Sequence, residues 1–361
     1  MRTRDWRLRA TCIAVILLLV SISVDACRTQ PQEKTQLRML VAGSLLLPFE
    51  DLERAFEEQH PNVDVLVEGH GSIQCVRHVT ELEELADIVA VADYALIPML
   101  MYESRDPETG EPYASWHLRF ATNRLGIAYT PQSAYADEIG VSNWYEVISR
   151  SDVLLGLADP RFDACGYRAL MTTQLAEAYY GDAAIFHRVF GSRLTPYVQI
   201  EERDGVDVIQ VPETLQPRDD SGLVVRGSSV RLLGLLESGD LDYAFEYESV
   251  SQQHGVEFLP LPPELDLSDE ARAADYARVR IRLDFQRFAS VKPKFVGGPI
   301  IYGVTIPSNA PHPDLAADFI QFLMGPEGQA IMASNQQPMI VPAMTDNPEA
   351  LPVELKDLIR Q

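Results

Sequence analysis

Short apolar runs alternate along this chain with stretches in which apolar residues recur at helical spacing, the pattern of an α/β protein. The run Leu37-Arg38-Met39-Leu40-Val41-Ala42 predicts a strand that stops on Gly43-Ser44. An amphipathic helix follows, with Pro48 tolerated in its first turn, Phe49, Leu52 and Phe56 on one face, and Pro61 closing it. Residues 63–68 and 86–91 read as buried strands, with a helical stretch between them that ends over residues 80–85. The opening of the chain therefore forms βαβ units on a largely parallel sheet. Three small or polar turns, Gly43-Ser44, Gly69-His70-Gly71-Ser72 and Ala92-Asp93-Tyr94, each follow a strand, so they converge on the edge where open α/β sheets bind ligands. A helix start of this kind leaves backbone N–H groups aimed at the corner and suits an anion, although Ser44 read alone is more simply a helix cap.

The alternation continues through residues 120–129 and 241–247, the two candidates for strands crossing between lobes, and through 299–306. Residues 315–324 predict a helix stopped by Gly325-Pro326, and the acid-rich stretch 201–221 reads as a hairpin or excursion on the surface. No internal repeat is present.

The first residues change the picture of where the protein works. Arg2, Arg4, Arg7 and Arg9 precede an apolar stretch from Cys12 to Val20, the make-up of an export signal rather than of a membrane span. The following Val24-Asp25-Ala26-Cys27 is close to the pattern at which bacterial lipoproteins are cleaved and acylated, with Asp25 an unusual neighbour. Residues 1–26 are thus expected to be a signal peptide, Cys27 the lipidated mature N-terminus, and 27–36 a linker from the anchor. Cleavage near Ala26 without lipid is the alternative. Either way the protein is exported to the cell envelope, on the outer face of the cytoplasmic membrane or in the periplasm. Cys75 and Cys165 then remain in the folded body, where a disulfide between them stays open.

A mature chain of about 335 residues exceeds one comfortable core and favours two lobes. Hydrophobic content of 46% with 23% charged residues describes an ordinary globular protein, and a net charge of −23 argues against nucleic acid as a partner. Local donors must then hold any anion against the global field. Catalytic constellations are missing from the sequence. The seven histidines form no zinc pair at helical spacing, and neither a G-x-S-x-G elbow nor a phosphate-cradling G-x-x-x-x-G-K loop occurs. Cys75-Val76-Arg77-His78 lacks a second pair and reads as structural, and Glu81, Glu83 and Glu84 read as a solvated face.

The blocks Val41-Ala42-Gly43-Ser44-Leu45, Gly71-Ser72-Ile73-Gln74-Cys75, Ala92-Asp93-Tyr94-Ala95-Leu96-Ile97-Pro98 and Asp163-Ala164-Cys165-Gly166-Tyr167-Arg168 resemble the tungstate/molybdate-binding proteins of ABC importers, the branch first associated with archaea. The resemblance continues through the Glu-Ser-Gly turn at Glu237 to Tyr247, through Tyr302 to Pro307 and through Phe322 to Gln329. It implies a two-lobe, type II periplasmic-binding-protein-like fold in which each lobe is a mostly parallel sheet flanked by helices and two crossing strands form the hinge. Lobe I would span 37–120 and 251–361 and lobe II 121–250. The implied activity is capture of tungstate or molybdate in the cleft, without a cofactor, by a monomer that passes the ion to a permease and its ATPase subunit.

By the same resemblance Gly43, Ser44 and Ser72 supply donors from lobe I, and Asp163, Ala164, Cys165 and Tyr247 come from lobe II. Tyr247 reads equally well as a core aromatic. A carboxylate about 4 Å from a dianion repels it by roughly 8 kcal/mol at an effective dielectric near 20, so Asp163 either turns away from the ligand or bonds its metal. The resemblance implies the second case, with two carboxylates added to the four oxo groups, a coordination that sulfate does not reach. Asp163 as a turn-former in Asp159-Pro160-Arg161-Phe162-Asp163 is the alternative. The chain departs from the pattern at the second carboxylate, because Ser229 in Arg226-Gly227-Ser228-Ser229 stands where the family has a glutamate. Ser229 would then donate a hydrogen bond, with Glu246 a possible substitute carboxylate. A protein of the same architecture for sulfate, phosphate or an iron chelate is the second reading. An enzyme on this fold is the third, and it lacks a nucleophile and base pair.

Overall fold

The computed structural model describes residues 34–284 and 294–360. The signal peptide, Cys27 and the linker up to residue 33 lie outside the described residues, and the expected linker's last two residues, Thr35 and Gln36, are already part of the first strand. Among those described, no helix is long and apolar enough to cross a membrane.

Strand β1 (Thr35–Ala42) leads through a single 3-10 turn, Gly43–Leu45, into α1 (Leu46–Gln59), as its pattern requires. Phe49, Leu52 and Phe56 are fully buried, each burial stabilising the lobe by roughly 2 kcal/mol. Strand β2 (Val63–His70), helix α2 (Ser72–Thr80) and strand β3 (Ile88–Val91) complete the βαβ units. Helix α2 stops at Thr80, short of the expected 85, and Leu82 and Leu85 are exposed in the turn beyond it.

The run 120–129 is two strands, not one. β4 (Leu118–Thr122) and β5 (Leu125–Tyr129) belong to different sheets, and Asn123-Arg124 forms the step between them. β6 (Leu155–Ala158) feeds α3 (Ala164–Tyr180). The expected surface hairpin is β7 (Gln199–Arg203) paired with β8 (Val206–Val211). β9 (Leu223–Arg226), α4 (Val230–Ser238), β10 (Tyr243–Tyr247), α5 (Glu248–Gln253) and β11 (Glu257–Pro260) follow. Beyond them come β12 (Val279–Leu283), β13 (Lys294–Val296), β14 (Ile301–Thr305), helices α6 (Pro313–Met324) and α7 (Pro326–Ser334), and β15 (Met339–Thr345).

One sheet has the order β15-β4-β14-β3-β1-β2 and the other β9-β6-β10-β5-β11, each flanked by helices, in two lobes. A smaller sheet, β13-β12-β8-β7, carries the hairpin. Both main sheets are mixed rather than mostly parallel. β1, β2 and β3 are parallel, as are β9, β6 and β10, but β14, β4 and β15 join the first sheet antiparallel, and β5 and β11 do the same in the second. Those additions come from distant parts of the sequence, where local pattern does not fix strand direction. β11 also extends the second sheet past residue 250, where the sequence division returns the chain to lobe I.

Candidate functional site

β1, β2 and β3 lie side by side and end at the same edge, which brings the three small turns together. Ser72 Oγ accepts a hydrogen bond from the Ala92 N–H at 3.0 Å, tying the second turn to the third. Ser44 is buried and its Oγ accepts from the Tyr302 hydroxyl at 2.9 Å. That phenol oxygen accepts in turn from Asn123 Nδ2 at 3.1 Å, and Asn123 also donates to Ser249 Oγ at 2.8 Å. The step between the sheets is thereby connected to the first turn through one tyrosine.

Across the seam, two helix starts meet. Asp163 caps α3, its Oδ1 accepting from the Cys165 N–H at 2.8 Å, while Oδ2 accepts from the Ser229 N–H at 3.2 Å where α4 begins. Phe162 and Asp163 both donate their N–H groups to the Asp159 carbonyl, so the turn-forming reading of this segment holds alongside the cap. Ala164 is the buried first residue of α3, and the Cys165 thiol donates to the Phe245 carbonyl at 3.3 Å. Cys75 and Cys165 are both buried and free, not bridged, and burial pushes both thiols up.

Strand β10 runs into this corner and divides its side chains between the two helices. Tyr247 turns toward α3, where its hydroxyl accepts from Arg168 Nη1 at 2.7 Å. Glu246, its neighbour, turns toward α4. Glu246 Oε1 accepts from Ser229 Oγ at 3.1 Å and from the Tyr247 N–H at 2.8 Å, while Oε2 has no partner among the described residues. Ser229 thus holds one carboxylate by its amide and a second by its hydroxyl. Both acids are buried among few compensating charges. Burial pushes Asp163 up to about 6 against the pull of its hydrogen bonds, and burial with the neighbouring Asp163 charge pushes Glu246 up to about 8.

The lobes touch along this corner. A Cβ built on Gly43 would lie 2.7 Å from Ser228 Oγ, and one on Gly71 would lie 2.3 Å from the Phe162 carbonyl oxygen. The Ile73 N–H, in the first turn of α2, donates to that same carbonyl at 3.0 Å. Glycine at 71 is therefore demanded by the close approach of the opposite lobe's backbone rather than by backbone conformation, whereas at 43 the neighbouring Ser228 hydroxyl can rotate aside.

Arg168, on α3, carries no role in the sequence reading, yet it is buried and reaches across the seam. Its Nη1 donates to the Ala92 carbonyl at 2.8 Å, and Nη2 lies 3.6 Å from Asp93 Oδ2. Tyr167 donates to the same Asp93 oxygen at 2.6 Å. The signal in the sequence was an arginine one turn into a helix whose first eight residues are otherwise small, apolar or aromatic, just after its acidic cap.

Every residue singled out in the sequence, Gly43, Ser44, Ser72, Asp163, Ala164, Cys165, Ser229 and Tyr247, lies at these turns, helix starts or strand end. The arrangement is a closed seam between two lobes, lined by small turns and helix N-termini, the layout of a two-lobe binding protein.

The chain belongs to the family of bacterial extracellular solute-binding proteins, whose profile matches residues 37–335. The molybdate/tungstate-binding protein WtpA of Thermococcus kodakarensis is 37% identical over 359 residues, covering 96% of this chain and 95% of its own. An uncharacterized solute-binding protein of Methanoculleus marisnigri is 44% identical over 312 residues, 86% of this chain and 83% of the relative. Among solved structures, the periplasmic molybdate-binding protein of Azotobacter vinelandii shares the fold, with a TM-score of 0.52 and 14% identity over 83% of this chain and 98% of its own. The relatives are binding proteins for solutes rather than enzymes.

Proposed function

We propose that this protein captures molybdate or tungstate at the lobe seam and delivers it to an ABC permease and its ATPase subunit. In this reading the chain is exported, held by lipid on Cys27, and works as a monomer. The lobe division at 37–120 with 251–361 and at 121–250 is adjusted so that β11 (Glu257–Pro260) stays with lobe II, with the first crossing at Asn123-Arg124. The observation that carries the reading is the pairing of the Gly43-Ser44 turn with Ser228-Ser229, which hold the buried carboxylate of Asp163. Gly43, Ser44 and Ser72 line the lobe I side, and the starts of α3 and α4 bring helix dipoles that favour an anion. Ala164, Cys165 and Tyr247 shape the lobe II wall. Asp163 would bond Mo(VI) or W(VI) directly. The kinship with a molybdate/tungstate-binding relative over nearly the full length supports the same ligand.

A melting series on the body without its lipid tests this. At a hundredfold excess over its dissociation constant, a ligand adds about 2.7 kcal/mol to stability. Tungstate and molybdate are expected to raise the melting temperature, and sulfate and phosphate to leave it in place. A rise with phosphate or sulfate alone contradicts the proposal.

A further inference from the structure

The small sheet β13-β12-β8-β7 carries a charge opposite to that of the molecule as a whole. Along β12, Val279, Ile281 and Leu283 are buried while Arg280 is exposed and Arg282 half-buried, so the two arginines share the outer face. Strand pairing sets Lys294 of β13 opposite Arg282, and Arg280 beside Val208 of β8. With Arg203 at the end of β7 they line a groove of about 410 Å³, in which Asp204 is the one acid among the described lining residues. The whole chain has 53 acids against 30 lysines and arginines, so four cations to one acid inverts the balance here. Arg203 pairs with Glu201, and Arg282 lies 3.4 Å from Asp284. Arg280 and Lys294 have no ion-pair partner among the described residues, and both are exposed.

This groove adjoins the seam. Lys294 also lines a second cavity, of about 380 Å³, that lies between the edge strand β13 and the Asp93-Tyr94 turn of lobe I. Phe295 forms one wall, stacked on Tyr167 with ring centroids 4.3 Å apart. Arg168 forms another, and its Nη1 reaches the Ala92 carbonyl and the Tyr247 hydroxyl at the corner described above. Asp93, the one acid among the described residues of this cavity, accepts from Tyr167 and lies 3.6 Å from Arg168, which offsets its charge.

We propose that the outer face of the small sheet is an electrostatic entry path for the incoming dianion, with Arg280 and Lys294 as its free charges and the cavity at Arg168 as its inner end. The proposal rests on the reading that the seam binds an oxyanion, whichever metal the ion carries. A dianion approaching a protein of net charge −23 is repelled, and a capture protein gains from a local field that reverses this. Screening over about 8 Å at physiological ionic strength leaves mainly the charges beside the route to act on the ion. Residues that meet the ion only in passing set its association rate and leave its dissociation rate alone.

Stopped-flow mixing of the full chain with tungstate over a range of salt concentrations tests this by sign. Net charge alone makes the association rate constant rise with salt, because screening weakens repulsion. The entry path makes it fall. The double variant Arg280→Gln with Lys294→Gln is expected to associate about tenfold more slowly at low salt, with a weakened salt dependence and an unchanged dissociation rate. Arg280→Glu is expected to slow association as well. Lys356→Gln, which removes an exposed cation outside the groove, is expected to associate as the wild type does. A wild-type rate constant that is flat or rises with salt overturns the proposal, as does a double variant with the wild-type association rate, and both leave the proposed function standing. Failure of the wild type to bind tungstate takes down the proposed function and the entry path together.

Discussion

Ser229 donates its hydroxyl to Glu246 Oε1 at 3.1 Å, so the serine that stands where a glutamate is expected instead holds one in place. Its amide holds Asp163 at the same time. Loss of an acid at one position and gain of an acid at another thus meet at a single residue.

Asp163 both caps α3 and faces the proposed metal, and two substitutions separate these tasks. Asp163→Asn keeps an oxygen for the Cys165 amide and removes the charge but leaves the Ser229 amide without its acceptor, so stability falls by about 1 kcal/mol while tungstate binding weakens by roughly tenfold or more. Asp163→Ala also costs the fold about 1 kcal/mol. In both, calorimetric titration should show a narrower gap between tungstate and sulfate. Unchanged curves for both anions remove Asp163 from the site.

Gly71→Ala places a methyl 2.3 Å from the Phe162 carbonyl, a backbone atom that cannot swing aside. The arrangement in which the lobes meet should be disfavoured, since the clash lies in that contact. Affinity for tungstate should fall, and small-angle scattering should show less compaction on adding ligand. Normal compaction in the variant contradicts the seam as drawn.

Arg168 links α3 to Ala92 and Tyr247, and Arg168→Met leaves the Ala92 carbonyl and the Tyr247 hydroxyl without their donor. Loss of such a charged hydrogen-bond donor is worth about 2 kcal/mol, or roughly thirtyfold in affinity. Stopped-flow measurement should place most of the change in a faster dissociation rate. Tyr167→Phe, which removes the bond to Asp93, should move the rate in the same direction by less.

Burial pushes Glu246 up to about 8, so the folded, ligand-free protein keeps the proton while the unfolded chain loses it in the ordinary glutamate range. Stability from this group is full below that range, declines as pH rises toward 8, and is flat above. Glu246→Gln has no charge to bury. Its melting temperature relative to wild type should rise between pH 5 and pH 8, and a constant difference across that window contradicts the burial of a titrating acid here.

The local parts of this molecule were legible and the long-range parts were not. Apolar spacing alone marked β1, the Gly43-Ser44 turn and the buried face of Phe49, Leu52 and Phe56. It could not show that Ser44 bonds Tyr302 or that Thr122 and Leu125 enter different sheets, since alternation runs on through Asn123-Arg124 without a break. The direction of β14, β4 and β15 was hidden for the same reason. Arg168 stood in a quoted motif with no task, because its burial exists only where one lobe covers the other. Glu246 was visible as an acid in a strand of apolar and aromatic residues, but its unpartnered oxygen is a property of the assembled corner.

The central claim is that the seam binds an oxyanion through a carboxylate that reaches its metal. Calorimetric titration of the delipidated protein with tungstate in a large excess of sulfate tests it most directly. The account predicts tight, saturable binding at one tungstate per chain, undiminished by sulfate. Tungstate heats that vanish as sulfate is added would show an ordinary anion pocket and contradict it.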